Sequence, residues 1–260
     1  MDVRLDGRTA LITGGSKGLG FAMAKKFVAS GANVVLAARD AETLASAEAE
    51  INATNQGAAK SIMTDVTDPD ACKALYAGAC ARYGQVDILV NNAGQSQTGK
   101  FEEITDEIWE ADLALKLMAQ VRLSRLVFPD MKARKWGRII NVLNTGAKVP
   151  RGGGAPTAVT RAAGMALSKI LANEGAPHGI LVNAMNTGIL VSDQWIRRHA
   201  DSDGSKTFEE FIADMGKGVP LGRMGEAEEF ANLACFLASD AASYITGTAI
   251  NVDGGSCPVV

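Results

Sequence analysis

The residues with the most chemical content in this 260-residue chain are spaced glycines and a few placed cations. Leu11-Ile12-Thr13-Gly14-Gly15-Ser16-Lys17-Gly18-Leu19-Gly20 carries an apolar strand through a turn and into a helical pattern marked by Phe21, Ala22, Ala24 and Phe27. Glycine serves where the chain turns sharply, where a ligand touches main chain and where a helix packs closely on a sheet. The helix N-terminus adds unpaired N–H groups and the positive end of a dipole. The predicted chemistry is capture of a dinucleotide pyrophosphate by Gly14, Ser16, Lys17, Gly18, Leu19 and Gly20. The next apolar run ends Val34-Val35-Leu36-Ala37-Ala38-Arg39. A carboxylate there would accept from adenosine ribose hydroxyls and repel a 2′-phosphate, whereas Arg39 attracts that phosphate and Lys17 can reach the same group.

Elements that hold such a turn are legible along the whole chain. Strand candidates at Thr9–Thr13, Asn33–Ala37, Lys60–Thr64, Asp87–Asn91, Arg138–Leu143, Leu181–Met185 and Thr248–Val252 alternate with longer helical patterns. Continuous Val/Ile/Leu runs in a βαβ rhythm predict a parallel sheet covered on both faces. Right-handed crossovers then make it α/β and doubly wound, a Rossmann fold of about seven strands. No linker or repeat divides the chain, so one domain spanning 1–260 is expected.

A formal net charge of −3 supplies no basic field for nucleic acid or an anionic membrane. No apolar run reaches the length of a membrane span, and Met1 to Gly7 is too polar for a signal peptide. Cys72, Cys80, Cys235 and Cys257 form no Cys-x-x-Cys pair and have no histidine partners, so no metal site is expected and a reducing cytoplasm is.

The spacing Thr13-Gly14-x-x-x-Gly18-x-Gly20, then Asn91-Asn92-Ala93-Gly94 after a strand, then Asp253-Gly254-Gly255 near the end, resembles the classical short-chain dehydrogenase/reductase family from about Asp6 to Gly255. The resemblance implies NADP(H) in preference to NAD(H), through Lys17 and Arg39. It implies contacts to the adenine from Asp65 and Val66, a cofactor border at Asn92, Ala93 and Gly94, and a nicotinamide carboxamide met by Thr187-Gly188-Ile189, where relatives carry Pro-Gly. Leu190 to Val219, with Ser192, Asp193, Trp195, Arg197, Arg198, His199, Phe208 and Phe211, resembles the family's substrate lid. His199 reads as a surface residue and His178 as part of a turn. Relatives assemble as homotetramers through the helices and strand that correspond here to Leu113–Phe128, Ala162–Ala176 and the C-terminal part.

At the expected catalytic positions the chain departs from the family. The helical pattern Glu107 to Arg134 carries Lys116 where relatives have asparagine. Asn144 stands for the serine that holds the substrate carbonyl, and Thr157 and Arg161 stand for the tyrosine and lysine. A threonine hydroxyl is a far weaker acid than a tyrosine, and Arg161 can hold the cofactor's ribose hydroxyls but, being charged at any working pH, cannot pass on a proton. Spacing by four residues still points Thr157 and Arg161 together into the cleft, and Asn144 still donates a hydrogen bond. Lys116 near Arg161 is a candidate acid, a candidate stabiliser of an alkoxide, or half of a carboxylate clamp; water is the other proton source. The expected function is an NADP(H)-dependent oxidoreductase of a carbonyl/alcohol pair with a non-standard proton donor and a small-molecule substrate. A cofactor-binding pseudoenzyme and a non-redox lyase or isomerase are the alternatives.

Overall fold

Branched apolar runs flanked by glycine turns order the centre of the molecule. The computed structural model describes residues 3–54, 58–202 and 204–260, with the side chains of Asp193, Gln194 and Arg197 outside that description. In chain order the elements are β1 (Thr9–Thr13), α1 (Gly18–Ala29), β2 (Asn33–Ala38), α2 (Ala41–Thr54), β3 (Ala59–Met63), α3 (Pro69–Tyr83), β4 (Ile88–Asn91) and a two-residue β5 (Thr98–Gly99). There follow α4 (Asp106–Leu113), a π turn (Ala114–Met118), α5 (Ala119–Arg134), β6 (Gly137–Asn144), β7 (Ala155–Pro156), α6 (Thr157–Gly175) and β8 (Ile180–Thr187). Last come α7 (Asp193–Ala200), α8 (Phe208–Gly216), α9 (Ala227–Ala238) and β9 (Ala249–Val252).

The seven-stranded sheet runs β3-β2-β1-β4-β6-β8-β9 and all its pairs are parallel. Strand side chains alternate between faces, which explains why both faces are apolar. Ile12 and Leu36 pack on one side with Phe27 of α1 and Phe230 of α9. Leu11 and Val35 pack on the other with Leu75 of α3 and Leu123 and Val127 of α5. Chain order reverses between β1 and β4, and a crevice opens there beyond the carboxyl ends of the strands.

The structure corrects several expected boundaries. β3 starts at Ala59 and ends at Met63 rather than spanning Lys60–Thr64, and β4 starts at Ile88, one residue later than expected, with the Asp87 carboxylate accepting from the Thr9 N–H at 2.9 Å. β8 is longer than Leu181–Met185, running through Thr187. The single helix expected from Glu107 to Arg134 is α4 and α5 spliced by the π turn. A π turn accommodates one extra residue without breaking the helix, so the apolar period survives on either side and conceals it. β5 and β7 were not foreseen; two-residue strands carry no periodicity, yet their antiparallel pairing of Thr98 with Pro156 brings the segment after Gly94 to the start of α6.

Candidate active site

Two turns at the carboxyl ends of β1 and β4 are bound to each other before any ligand is considered. Thr13 Oγ1 accepts from the N–H groups of Asn92 and Ala93, each at 3.0 Å, and Asn92 Nδ2 donates to the carbonyls of Thr13 at 2.9 Å and Gly14 at 3.1 Å. Gly14 takes φ +64°, and a Cβ on Gly20 would lie 2.1 Å from the Gly14 carbonyl oxygen and 2.7 Å from Asn92 Nδ2. Gly20 is thus required by packing between α1 and the turn. Gly18, at φ +53°, opens α1, and a Cβ built there meets nothing nearer than 3.8 Å. That open space lies in front of a helix N-terminus whose first turn carries no acidic residue.

A cleft of about 420 Å³ runs from this turn to the start of α6. Gly14, Ser16, Lys17, Gly18, Leu19 and Arg39 line one end; Asn92, Ala93 and Gly94 line its side; Asn144, Thr157, Arg161, Thr187 and Gly188 line the other end, with Leu190, Ser192 and Trp195 over it. Among the described residues its charged lining is Lys17, Arg39 and Arg161, with no carboxylate. This is a cationic slot. Helix N-terminus, glycine cradle and two exposed cations fit a phosphorylated dinucleotide. The sequence-predicted Gly20, Asp65, Val66 and Ile189 do not line it. Asp65 instead accepts from the N–H and hydroxyl of Thr67, which hold its carboxyl below the usual range, with Arg39 adding to the effect. The Ile189 carbonyl accepts from Gly225 N–H at 3.1 Å, tying the end of β8 to the segment before α9.

At the far end the four catalytic candidates divide. Asn144, Thr157 and Arg161 face the cleft, whereas Lys116, brought inward by the π turn, is 1% exposed and lies behind Thr157. Lys116 Nζ donates to Asp112 Oδ1 and, at 2.6 Å, to Thr157 Oγ1. Thr157 Oγ1 also accepts from Gln97 N–H at 2.9 Å and donates to the Gln97 carbonyl at 2.6 Å. Lys116 is held below the ordinary lysine range by its burial, with Arg161 pressing the same way and Asp112 opposing. Burial likewise brings Arg161 down to about 10, and its Nη1 donates to the Val142 carbonyl at 2.7 Å. Gly94 makes room for that guanidinium: a Cβ there would lie 2.6 Å from Nη2. Asn144 Oδ1 is buried with no hydrogen-bond partner, an acceptor left over at the cleft wall.

Sequence reasoning missed Asp112, Gln97 and Thr160. Asp112 stands four residues before Lys116, a spacing that signals an ion pair on a helix; nothing in sequence signals that the pair is buried. Segment 190–219 holds an aromatic clasp. The His199 ring lies 5.5 Å from each of the Phe208 and Phe211 rings and its Nε2 is 2.8 Å from the Lys206 carbonyl, while Trp195 stands 6.3 Å from Phe211. His199 therefore joins α7 to α8, and His178 sits in a short 3₁₀ turn closed by Gly179 at φ +70°.

The family model described as Enoyl-(Acyl carrier protein) reductase matches residues 14–256. The 3-oxoacyl-(acyl-carrier-protein) reductase FabG of Escherichia coli (strain K12) is 36% identical over 253 residues, covering 97% of this chain and 98% of that one. The L-sorbose reductase of Gluconobacter frateurii, solved with NADPH and L-sorbose, superposes with a TM-score of 0.95 at 34% identity over 100% of both chains. The NADPH-bound short chain oxidoreductase of Pseudomonas aeruginosa PAO1, described as containing an atypical catalytic center, superposes with a TM-score of 0.91 at 34% identity over 99% of each. These matches run along nearly the full length of the chain, and the chain belongs to the short-chain dehydrogenase/reductase family.

Proposed function

We propose that this protein is an NADP(H)-dependent oxidoreductase that interconverts a small-molecule carbonyl and its alcohol, and that it prefers NADP(H) to NAD(H). The observation that carries the reading is the continuous cationic cleft from Lys17 and Arg39 to Asn144, Thr157 and Arg161. Two of the solved relatives bind NADPH. Lys17 and Arg39 would hold the 2′-phosphate, the N-terminus of α1 the pyrophosphate, and Asn92, Ala93, Gly94, Thr187 and Gly188 the remainder. When bound, the nicotinamide supplies or accepts the hydride. Asn144 orients the carbonyl by donating its amide N–H. The proton comes from Lys116 through the Thr157 hydroxyl: the ammonium donates to Oγ1, and as Oγ1 gives its own proton to a developing alkoxide in the cleft it takes one from Nζ. Thr157 then needs no lowered pKa, because it gains one proton as it gives one. Arg161, fixed to Val142, adds positive potential at that end of the cleft and keeps its charge.

The segment 190–219 acts as lid on this one catalytic unit. The assembly we propose is a homotetramer, supported by the exposed Val159 and Ile170 on α6 and Met118 at the end of the π turn. Four unpaired cysteines suit a reducing cytoplasm. No helix among the described residues is long and apolar enough to cross a membrane.

Titration of the purified protein with NADPH and NADH, followed by nucleotide fluorescence, tests the reading. Loss of a charge-assisted pair to phosphate in Arg39→Ala should weaken NADPH about 10–100-fold and leave NADH within about twofold. Equal weakening of both nucleotides would remove the 2′-phosphate role, and absence of binding in the unaltered protein would remove the oxidoreductase reading.

A further inference from the structure

Asp112 is the least explained charged group near the cleft. It is 4% exposed, does not line the cleft, and is the last residue but one of α4, two before the π turn begins. Its two oxygens have different partners: Oδ1 accepts from Lys116 Nζ, and Oδ2 accepts from Thr160 Oγ1 at 2.7 Å. Thr160 is one helical turn from Thr157 in α6 and its hydroxyl also reaches the Thr157 carbonyl at 3.1 Å. One carboxylate therefore fixes the donor, Lys116, and the helix turn that presents the acceptor, Thr157.

We infer that Asp112 is a positioning residue for proton transfer: it keeps Lys116 protonated in the core and aims its ammonium at the hydroxyl of Thr157, a residue that lines the cleft. The inference rests on the reading of Lys116 and Thr157 as the route of the proton. The charged groups that act on Lys116 are Asp112 from α4 and Arg161 from α6. Burial and Arg161 both disfavour the ammonium; Asp112 is its counter-charge. A merely structural link between α4 and α6 would be made as well by apolar side chains of similar volume, since a buried ion pair rarely gains stability over them. What apolar residues would not provide is a proton held 2.6 Å from a hydroxyl of the cleft.

The test is the titration of Lys116 in the nucleotide-free protein, followed by NMR of lysine labelled at Cε and Nζ, with Lys116→Met identifying the resonance. Asp112→Asn keeps the shape and one acceptor oxygen but removes the charge. The expected result is a Lys116 midpoint lowered by at least about one pH unit, a tenfold shift of the equilibrium. NADPH affinity should stay within about twofold, and turnover, with the substrate on which the unaltered protein is active, should lose its basic limb at correspondingly lower pH. Asp112→Asn should cost nothing further in a Lys116→Met background, because a residue that acts through Lys116 has nothing left to act on. A midpoint that does not move, or an additive loss in the double variant, overturns the inference. The unaltered protein gives a second readout if Asp112→Asn does not fold: Lys116 found neutral at pH 7 overturns the inference as well. Failure to bind nucleotide or turn over any carbonyl would sink the oxidoreductase reading while leaving the Lys116 titration measurable, so the two failures are distinguishable.

Discussion

In the proposed route Thr157 is the residue on which the chemistry turns, because it stands between the buried Lys116 ammonium and the cleft. It accepts from Lys116 and from Gln97 N–H and donates to the Gln97 carbonyl, so both lone pairs and its proton are engaged. Substrate must displace the Gln97 carbonyl to receive that proton. Thr157→Val keeps the volume and removes the hydroxyl: turnover should fall about 100-fold, the scale of a lost general acid. NADPH affinity should hold, and Thr157→Ser should recover most of the rate. Steady-state turnover beside nucleotide titration separates these outcomes, and undiminished turnover in Thr157→Val would assign the proton to water. The position of this residue was legible in sequence and its company was not. Thr157, Arg161 and Lys116 stand at spacings shared with a known family, but an Asp four residues before a Lys reads as a solvated surface pair. Only the meeting of α4 with α6 makes it a buried one.

At the scale of elements, two departures from regularity do the positioning. The π turn inside what reads as one long helix swings Lys116 inward, and the two-residue ribbon of β5 and β7 brings Gln97 against Thr157. Neither leaves a periodic trace, which is why the seven long strands were legible within a residue or two and these were not. Segment 190–219 obeys the opposite logic, with a polar-aromatic composition visible in sequence and a geometry visible only in three dimensions. Phe211 touches both Trp195 and His199, and such ring pairs each contribute about 0.5–1.5 kcal/mol. Phe211→Ala should therefore loosen α7 and α8 without unsettling the sheet, because those helices pack on neither large apolar cluster. Limited proteolysis is expected to cut within 190–219 several-fold faster than in the unaltered protein, with the thermal midpoint lowered by only a few degrees and with saturating NADPH restoring resistance. Cleavage as slow as in the unaltered protein would mean that the clasp is held from elsewhere.

The whole molecule places its chemistry at one rim. All seven strands of the sheet point their carboxyl ends the same way, so Thr13, Asn92, Asn144 and Thr187 arrive together although they are scattered over most of the chain. The seven strands and their parallel run were readable because the central ones, β1, β2, β4, β6 and β8, are buried almost end to end and read as unbroken apolar runs, while the order in which they pair came from the structure. A partner for the outer face of α6 is implied by family resemblance alone. Val159 at 52% exposure and Ile170 at 53% stand three helical turns apart on the outer face of α6. That helix also carries Thr157, Thr160 and Arg161 on its inner face, so in the tetramer we propose, a partner subunit braces the element that holds the proton route. Replacing both apolar residues by charge, Val159→Glu with Ile170→Glu, puts two carboxylates where a second copy of α6 would pack, a site where desolvation of each disfavours association. Sedimentation velocity should find the unaltered protein at four times the 27.1 kDa chain mass and the double variant at a smaller multiple. Turnover should fall with association while NADPH affinity, set at the opposite end of the cleft, is retained. A double variant that keeps both mass and turnover would move the interface away from α6.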